Sequence, residues 1–371
     1  MIDRRCIRYF DWWSFLIILA LLGLGLLFVF SATYRAGAPL SMFFKKQLIG
    51  AGIGIVAYIS FSIIDLRSSY RWGFIAYFAL LGLLLYTMVV GRFIMGAKRW
   101  VSLGFFRFQP SELTKFFLPL FIAYYFCETT VPKYKFSQAP LLTLKDFYFP
   151  LGILAASFLL ILKQPDLGTA LIILATGLAL LWFVGLNKYF FIIGLALSAA
   201  SAPMLWKCLK PYQQDRILVM FGYGDARKER YQIEQSKIAV GSGGVLGKGF
   251  LKGTQNKLNF LPEDHTDFIF SVICEEWGLI GALMVLALFF LLFARLLFVV
   301  ITVEALFEQI IALGLLLPVM LSVCINIGMV LGLLPIVGIP LPLLSYGMTN
   351  LIITLASLGW INNIAIRRSY Y

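Results

Sequence analysis

Apolar stretches long enough for an α-helix to cross a bilayer, about 17 to 25 residues for roughly 30 Å of hydrocarbon, recur along the whole chain. In lipid every backbone N–H and C=O must be satisfied internally, so such a chain can only form helices or a closed barrel. A barrel needs alternating strands of about ten residues, and this pattern is absent from the sequence. Composition agrees: 13% of residues are charged, against about one quarter in a soluble domain. The fold class is therefore an all-α polytopic membrane protein with about ten transmembrane helices. We read residues 1–371 as one integral membrane domain, with spans at about 13–33, 47–64, 73–91, 110–127, 149–162, 167–185, 188–206, 267–300, 308–333 and 343–366. A large polar loop, 207–266, separates the seventh span from the eighth. The eighth is long enough to tilt or protrude. Met1 to Phe10 is polar and the run from Trp13 spans on its own, so it reads as an anchor and not as a cleaved signal.

Ten spans put both termini on one side. With that side cytoplasmic it collects 12 of the 31 Lys and Arg; ten of the other 19 lie in the 207–266 loop, at the length where the positive-inside rule stops counting. The remaining 12 against 9 gives little direction. The net charge of +13 suits anionic headgroups or a phosphorylated substrate, and no motif points to nucleic acid. The five cysteines show no CxxC or Cys/His spacing for a metal or a disulfide frame.

Four polar interruptions carry the candidate chemistry. Gln109-Pro-Ser-Glu-Leu-Thr-Lys115 puts Glu112 and Lys115 on one helix face inside an apolar segment. A charge there costs about 3 kcal/mol on insertion scales, so the two either neutralise each other within the bundle or wall a substrate groove. Lys98, Arg99 and Arg107 just before them suit lipid headgroups or a pyrophosphate. Lys163-Gln-Pro-Asp-Leu-Gly-Thr169 puts Asp166 at a helix start, as an N-cap. Asn259-Phe-Leu-Pro-Glu-Asp-His-Thr-Asp267 gathers three carboxylates and the only histidine where loop becomes helix. Thr266 or Asp267 would also serve as a helix N-cap, and both readings of Asp267 stand at this point. Asn326 to Asn350 holds Pro335, Pro340 and Pro342. These stop any helix and predict a rigid reversal lining the central site, because irregular backbone at membrane depth survives only under protein or beside a cavity.

Within the long loop, Tyr231 to Val240 has helical character with Ile233, Lys237 and Val240 on one side. Gly241-Ser-Gly-Gly-Val-Leu-Gly-Lys-Gly249 is glycine-rich but lacks P-loop spacing. Its glycines either permit tight turns against the membrane or present N–H groups to a phosphate.

Three of these segments, Gln109 to Lys115, Phe260 to Phe270 and Gly338 to Gly347, resemble the signatures of the SEDS family, the bacterial shape, elongation, division and sporulation proteins. Gly338 to Gly347 and the short N-terminus look closer to the elongation branch than to the division branch. The resemblance covers nearly the whole chain; one departure is Gly347-Met-Thr, where Gly-Gly-Ser or Gly-Gly-Thr is usual. It implies a peptidoglycan glycosyltransferase that polymerises lipid II on the outer face of the bacterial cytoplasmic membrane during elongation, with both termini cytoplasmic. The implied partners are a class B penicillin-binding protein and other elongation-complex membrane proteins. It further implies that Asp267 is the essential aspartate and that Glu112 and Lys115 are the polar residues of the fourth span. Lys98, Arg99, Glu263, His265 and Ser345 are the other candidates for binding substrate. No metal ligands are assigned, and a divalent cation, Mg or Mn, stays open as a cofactor. The chemistry is self-consistent: a base must take a proton from the attacking sugar hydroxyl, and a pyrophosphate leaves without a second carboxylic acid once cations meet its charge. The rival classes are a lipid II flippase, built on the same charged pair and Pro-broken helices, and a structural scaffold in which no single carboxylate matters.

Overall fold

Short polar residues decide where the apolar segments become helix. The computed structural model describes residues 8–35, 40–64, 70–94, 97–102, 107–130, 142–208, 214, 218–219, 227–254 and 265–368. Helix α1 (Trp12–Thr33) starts at Asp11, whose carboxylate accepts from Ser14 Oγ at 2.8 Å. Helix α2 (Met42–Ile63) starts at Ser41, whose hydroxyl accepts from Phe44 N. It therefore begins five residues before the expected span and takes Lys45 and Lys46 into the helix. After α3 (Tyr70–Val90) come three short antiparallel strands in the order β1 (Arg92–Ile94), β2 (Ala97–Ser102) and β3 (Arg107–Phe108), which the sequence reading did not foresee.

Helix α4 (Pro110–Tyr124) has Pro110 in its first turn and runs into a π-helical turn, Tyr125–Thr130. Helix α5 (Leu144–Lys163) also starts five residues early, because Thr143 and Asp146 form a capping box that draws Lys145 into the helix. Then follow α6 (Leu167–Val184), α7 (Lys188–Cys208) and α8 (Arg227–Ser242), the last lying inside the long loop. The face that α8 buries is Ile233, Ser236 and Ala239; Lys237, expected on that face, is exposed. Helices α9 (Ile269–Thr302), α10 (Leu306–Val330) and α11 (Met348–Arg367) complete the chain.

Among the described residues eight helices (α1, α2, α3, α5, α6, α9, α10 and α11) are long and apolar enough to cross a membrane. Helices α4 and α7 occupy the two other places expected for spans. With 15 residues, 12 of them buried, α4 is a core helix, shielded from lipid on nearly every side. That is why it tolerates Glu112 and Lys115. Helix α11 is covered as thoroughly and knits to α2: a Cβ on Gly359 would lie 2.4 Å from Tyr58 O. Asn363 Nδ2 donates to the carbonyls of Phe61, Ser62 and Ile64 at 3.0, 2.9 and 2.8 Å, capping the C-terminal end of α2. Met348, the departure from the usual motif, opens α11 and packs on Gly50 of α2.

Helix α9 is broken at Gly278 (φ 63°, ψ −156°), and this break accounts for its length. The break removes the i→i−4 bonds from residues 279 and 280 to residues 275 and 276. The glycine-rich segment supplies all four missing halves. Leu279 N donates to Gly244 O at 2.9 Å and Ile280 N to Val245 O at 3.2 Å. Lys248 N donates to Glu275 O at 3.0 Å and Gly249 N to Glu276 O at 2.9 Å. Such close splicing requires glycine, since a Cβ on Gly247 would sit 2.1 Å from Glu276 O and one on Gly278 2.4 Å from Gly247 N. Of the two readings of this segment the tight-turn one fits: Gly244 N and Gly247 N bond within the segment, to Gly241 O and Gly243 O, and Gly249 N bonds to α9.

Candidate active site

The entry to α9 brings Asp267 to the Pro-rich reversal. The helix starts at Ile269 with Phe268 as its N-cap residue, so Asp267 stands one position before the cap, where loop becomes helix. Asn326, fully buried near the end of α10, donates one amide group to two carbonyls, Asp267 O and Ile339 O, each at 2.8 Å. The loop before α9 and the reversal are thereby fixed to each other. Gly338 lies at the contact, where a Cβ would be 3.7 Å from Asp267 Oδ2. Two residues upstream, His265 O accepts from Tyr346 N at 2.9 Å. The His265 ring packs against Phe43 and Tyr346, with centroids at 4.6 and 5.7 Å.

Gln47 of α2 grips the other end of the reversal. Its Nε2 donates to Ser345 O at 3.0 Å and its Oε1 accepts from Gly347 N at 3.1 Å. Ser345 is buried and its Oγ accepts from Leu341 N at 2.8 Å. We therefore attribute this hydroxyl to the fold of the reversal.

Glu112 and Lys115 form a buried ion pair, 2.8 Å from nitrogen to oxygen. Lys115 Nζ reaches both Glu112 oxygens, and Asn350 Nδ2 of α11 donates to Oε2, one of these same oxygens, at 2.8 Å. The pair lines a small cleft together with Ser322, Asn350, Thr354 and Ser357, and Pro342 contributes the reversal as one wall. One face of the reversal thus meets Asp267 and another meets the cleft. Near by, Asp166 caps α6, accepting from Thr169 N at 3.3 Å, while its second oxygen accepts from Gln109 Nε2 at 2.7 Å and Ser111 Oγ at 3.0 Å. The two Gln-Pro motifs are joined there, and Asp166 is structural as read.

Lys98 and Arg99 lie on β2, which pairs Phe93 with Lys98; their side chains lie outside the described residues, as does Glu263. Gln47, Asn326 and Asn350 were not singled out from the sequence. The signal was present: a side-chain amide inside an apolar span has to find a partner.

The family model of the FtsW/RodA/SpoVE cell cycle proteins matches residues 12–370. The chain belongs to this family. It is 39% identical over 355 residues to the peptidoglycan glycosyltransferase MrdB of Escherichia coli K12, covering 95% of this chain and 92% of that protein. Among solved structures it resembles a chain of a peptidoglycan synthase complex described as coordinating polymerization and crosslinking (TM-score 0.80, 30% identity, 97% of this chain and 98% of that one). It also resembles the rod shape determining protein RodA of Thermus thermophilus (TM-score 0.71, 28% identity, 97% of each chain). The chain shares its overall architecture with both of these structures.

Proposed function

We propose that this chain polymerises lipid II into glycan strands during cell elongation, releasing a polyprenyl pyrophosphate, and that Asp267 is its general base. The chain is an integral membrane peptidoglycan glycosyltransferase of the MrdB and RodA type. The observation that carries the assignment of Asp267 is the double hydrogen bond from Asn326, which fixes the backbone of Asp267 against the reversal. A base must reach the attacking hydroxyl with little freedom to wander, because misplacement by about 1 Å costs on the order of 100-fold in rate. Asp267 takes the proton from the sugar hydroxyl as its oxygen attacks the anomeric carbon of the lipid-linked disaccharide. The pyrophosphate then departs as an anion whose charge the surrounding cations meet. Lys115 sits beside the cleft but is already paired with Glu112, so we give that pair the shaping of the cleft and assign leaving-group contacts to Lys98 and Arg99. We assign Glu263 and His265, which precede Asp267 in the chain, to the acceptor side.

Among the described residues no three His, Cys, Asp or Glu side chains come together as a metal cage. A magnesium or manganese ion stays open as a cofactor, and no step here runs through one. The loop before α9 has to share a compartment with the growing glycan, which puts it on the outer face of the cytoplasmic membrane and both termini in the cytoplasm. We assign crosslinking of the product to a class B penicillin-binding protein bound alongside, within a larger assembly of elongation proteins.

The test is polymerisation of purified lipid II by the purified chain with its transpeptidase partner. Wild type should make long glycan, and Asp267→Asn, which keeps size and polarity but is not a base, should lose at least about 100-fold while eluting and melting as wild type. Near wild-type synthesis by that variant would remove the assignment.

A further inference from the structure

The break at Gly278 leaves the first part of α9, the part that carries Asp267 at its head, without a continuous helical connection to the long remainder of the span. Its orientation is set by core packing, by the bond from Asn326 to Asp267 O and by what splices the break. Besides the four backbone hydrogen bonds, one side-chain cluster closes the splice. Glu275, 1% exposed, accepts on a single oxygen from Lys248 Nζ at 2.7 Å, Thr254 N at 2.8 Å and Thr254 Oγ1 at 2.9 Å. Lys248 Nζ also donates to Thr254 Oγ1 at 2.9 Å. On the adjoining face Glu276 accepts from Ser31 Oγ, so α1 is the abutment on the other side. An ion pair and a hydroxyl therefore tie residues 248 and 254 of the long loop to the one turn of α9 that lacks its own bonds.

We propose that Lys248 and Glu275 are positioning residues for Asp267, the clamp that fixes the tilt of the Ile269–Trp277 turns relative to the reversal. This rests on Asp267 being the base. The lever is short and stiff: 11 positions (278 − 267) at about 1.5 Å each separate Gly278 from Asp267, an arm of about 16 Å. A tilt of about 4° about Gly278 then moves the carboxylate by about 1 Å, a displacement of the size that costs on the order of 100-fold when a catalytic group shifts. Neither residue needs to approach substrate for this. The effect belongs in kcat, with little change in KM, because the cleft and the reversal are held by α2, α4, α10 and α11.

The experiment compares Lys248→Met, Glu275→Gln, Lys248→Arg and Thr254→Val with wild type and Asp267→Asn, each as full chain with its transpeptidase, in lipid II polymerisation across substrate concentration. Lys248→Met and Glu275→Gln should lose about 100-fold in kcat with KM within about twofold, Lys248→Arg should recover most of the rate, and Thr254→Val should lose several-fold. A clamp that only holds the fold together would lower the yield and melting temperature of the first two while leaving the specific activity of the folded fraction unchanged, and that result would overturn the proposal. Should those two fail to fold, Thr254→Val, which keeps the ion pair, decides: wild-type kcat in it refutes the clamp. If Asp267→Asn is inactive while the clamp variants are fully active, only the positioning role falls. If Asp267→Asn is itself active, it is the assignment of the base that fails.

Discussion

Replacing Gly278 by alanine tests the spliced helix directly, because the substitution offers α9 two ways to respond and both are costly. If the break persists, alanine must hold φ 63° and ψ −156°, a region essentially reserved for glycine that costs about 1–3 kcal/mol. Its Cβ would also press on Gly247 N, 2.4 Å away. If α9 straightens instead, it regains two i→i−4 bonds but gives up the four made with the glycine-rich segment, a net loss of two bonds worth about 1–3 kcal/mol. Straightening also takes Lys248 and Thr254 away from the buried Glu275 carboxylate, and a buried charge that loses its partner costs about 3–5 kcal/mol. The cheaper route is the strained break, at about 2 kcal/mol or more once the contact with Gly247 is added, or roughly 30-fold in the local opening equilibrium. Amide hydrogen exchange in nanodiscs reads this: peptides covering 244–254 and 269–280 should lose protection together by that factor, while α10 and α11 keep theirs. Unchanged protection in Gly278→Ala would show that the splice does not hold α9.

Removing either member of the Glu112 and Lys115 pair, as in Glu112→Gln or Lys115→Met, should destabilise by about 3–5 kcal/mol through the charge left behind, seen as a lower melting temperature and reduced glycan synthesis; full activity in the swapped double variant would make the pair purely structural. Asn326→Leu removes the donor shared by Asp267 O and Ile339 O, which should cost about 1–3 kcal/mol for the carbonyls left bare and reduce kcat for lipid II polymerisation; a wild-type kcat would detach the reversal from catalysis. For sidedness, a cysteine at Glu234, exposed on α8, in a cysteine-free background should react with an impermeant thiol reagent in intact spheroplasts, and one at Arg8 only after permeabilisation. The opposite pattern would put Asp267 away from any external acceptor strand.

The spans were legible because length and hydropathy are properties of one segment at a time. Their starts were less so: Lys45 and Lys145 counted as loop charges, yet the caps at Ser41 and at Thr143 with Asp146 absorb them into α2 and α5. Asp166 was readable as a cap because an N-cap is a local device. The glycine-rich segment was not readable, since its partner is the interior of a helix about 30 residues away and nothing local marks Glu275 and Glu276 as the place of a splice. For Asn350 the need for a partner was legible but the partner was not, since its bond to Glu112 spans 238 positions.

The union of α2 with α11 sets an order of events at the ribosome. The amide that caps α2 comes from Asn363, about 300 positions later in the chain, and the reversal that Gln47 holds lies equally far downstream. At about 5–20 residues per second, α2 enters the bilayer roughly 15 to 60 seconds before either partner is made. Through that interval Gln47 and the carbonyls at Phe61, Ser62 and Ile64 have only water, headgroups or an insertion chaperone to bond with, and the reversal that faces Asp267 cannot be seated. The reversal and the cleft it walls are therefore completed only when the final helix is threaded in.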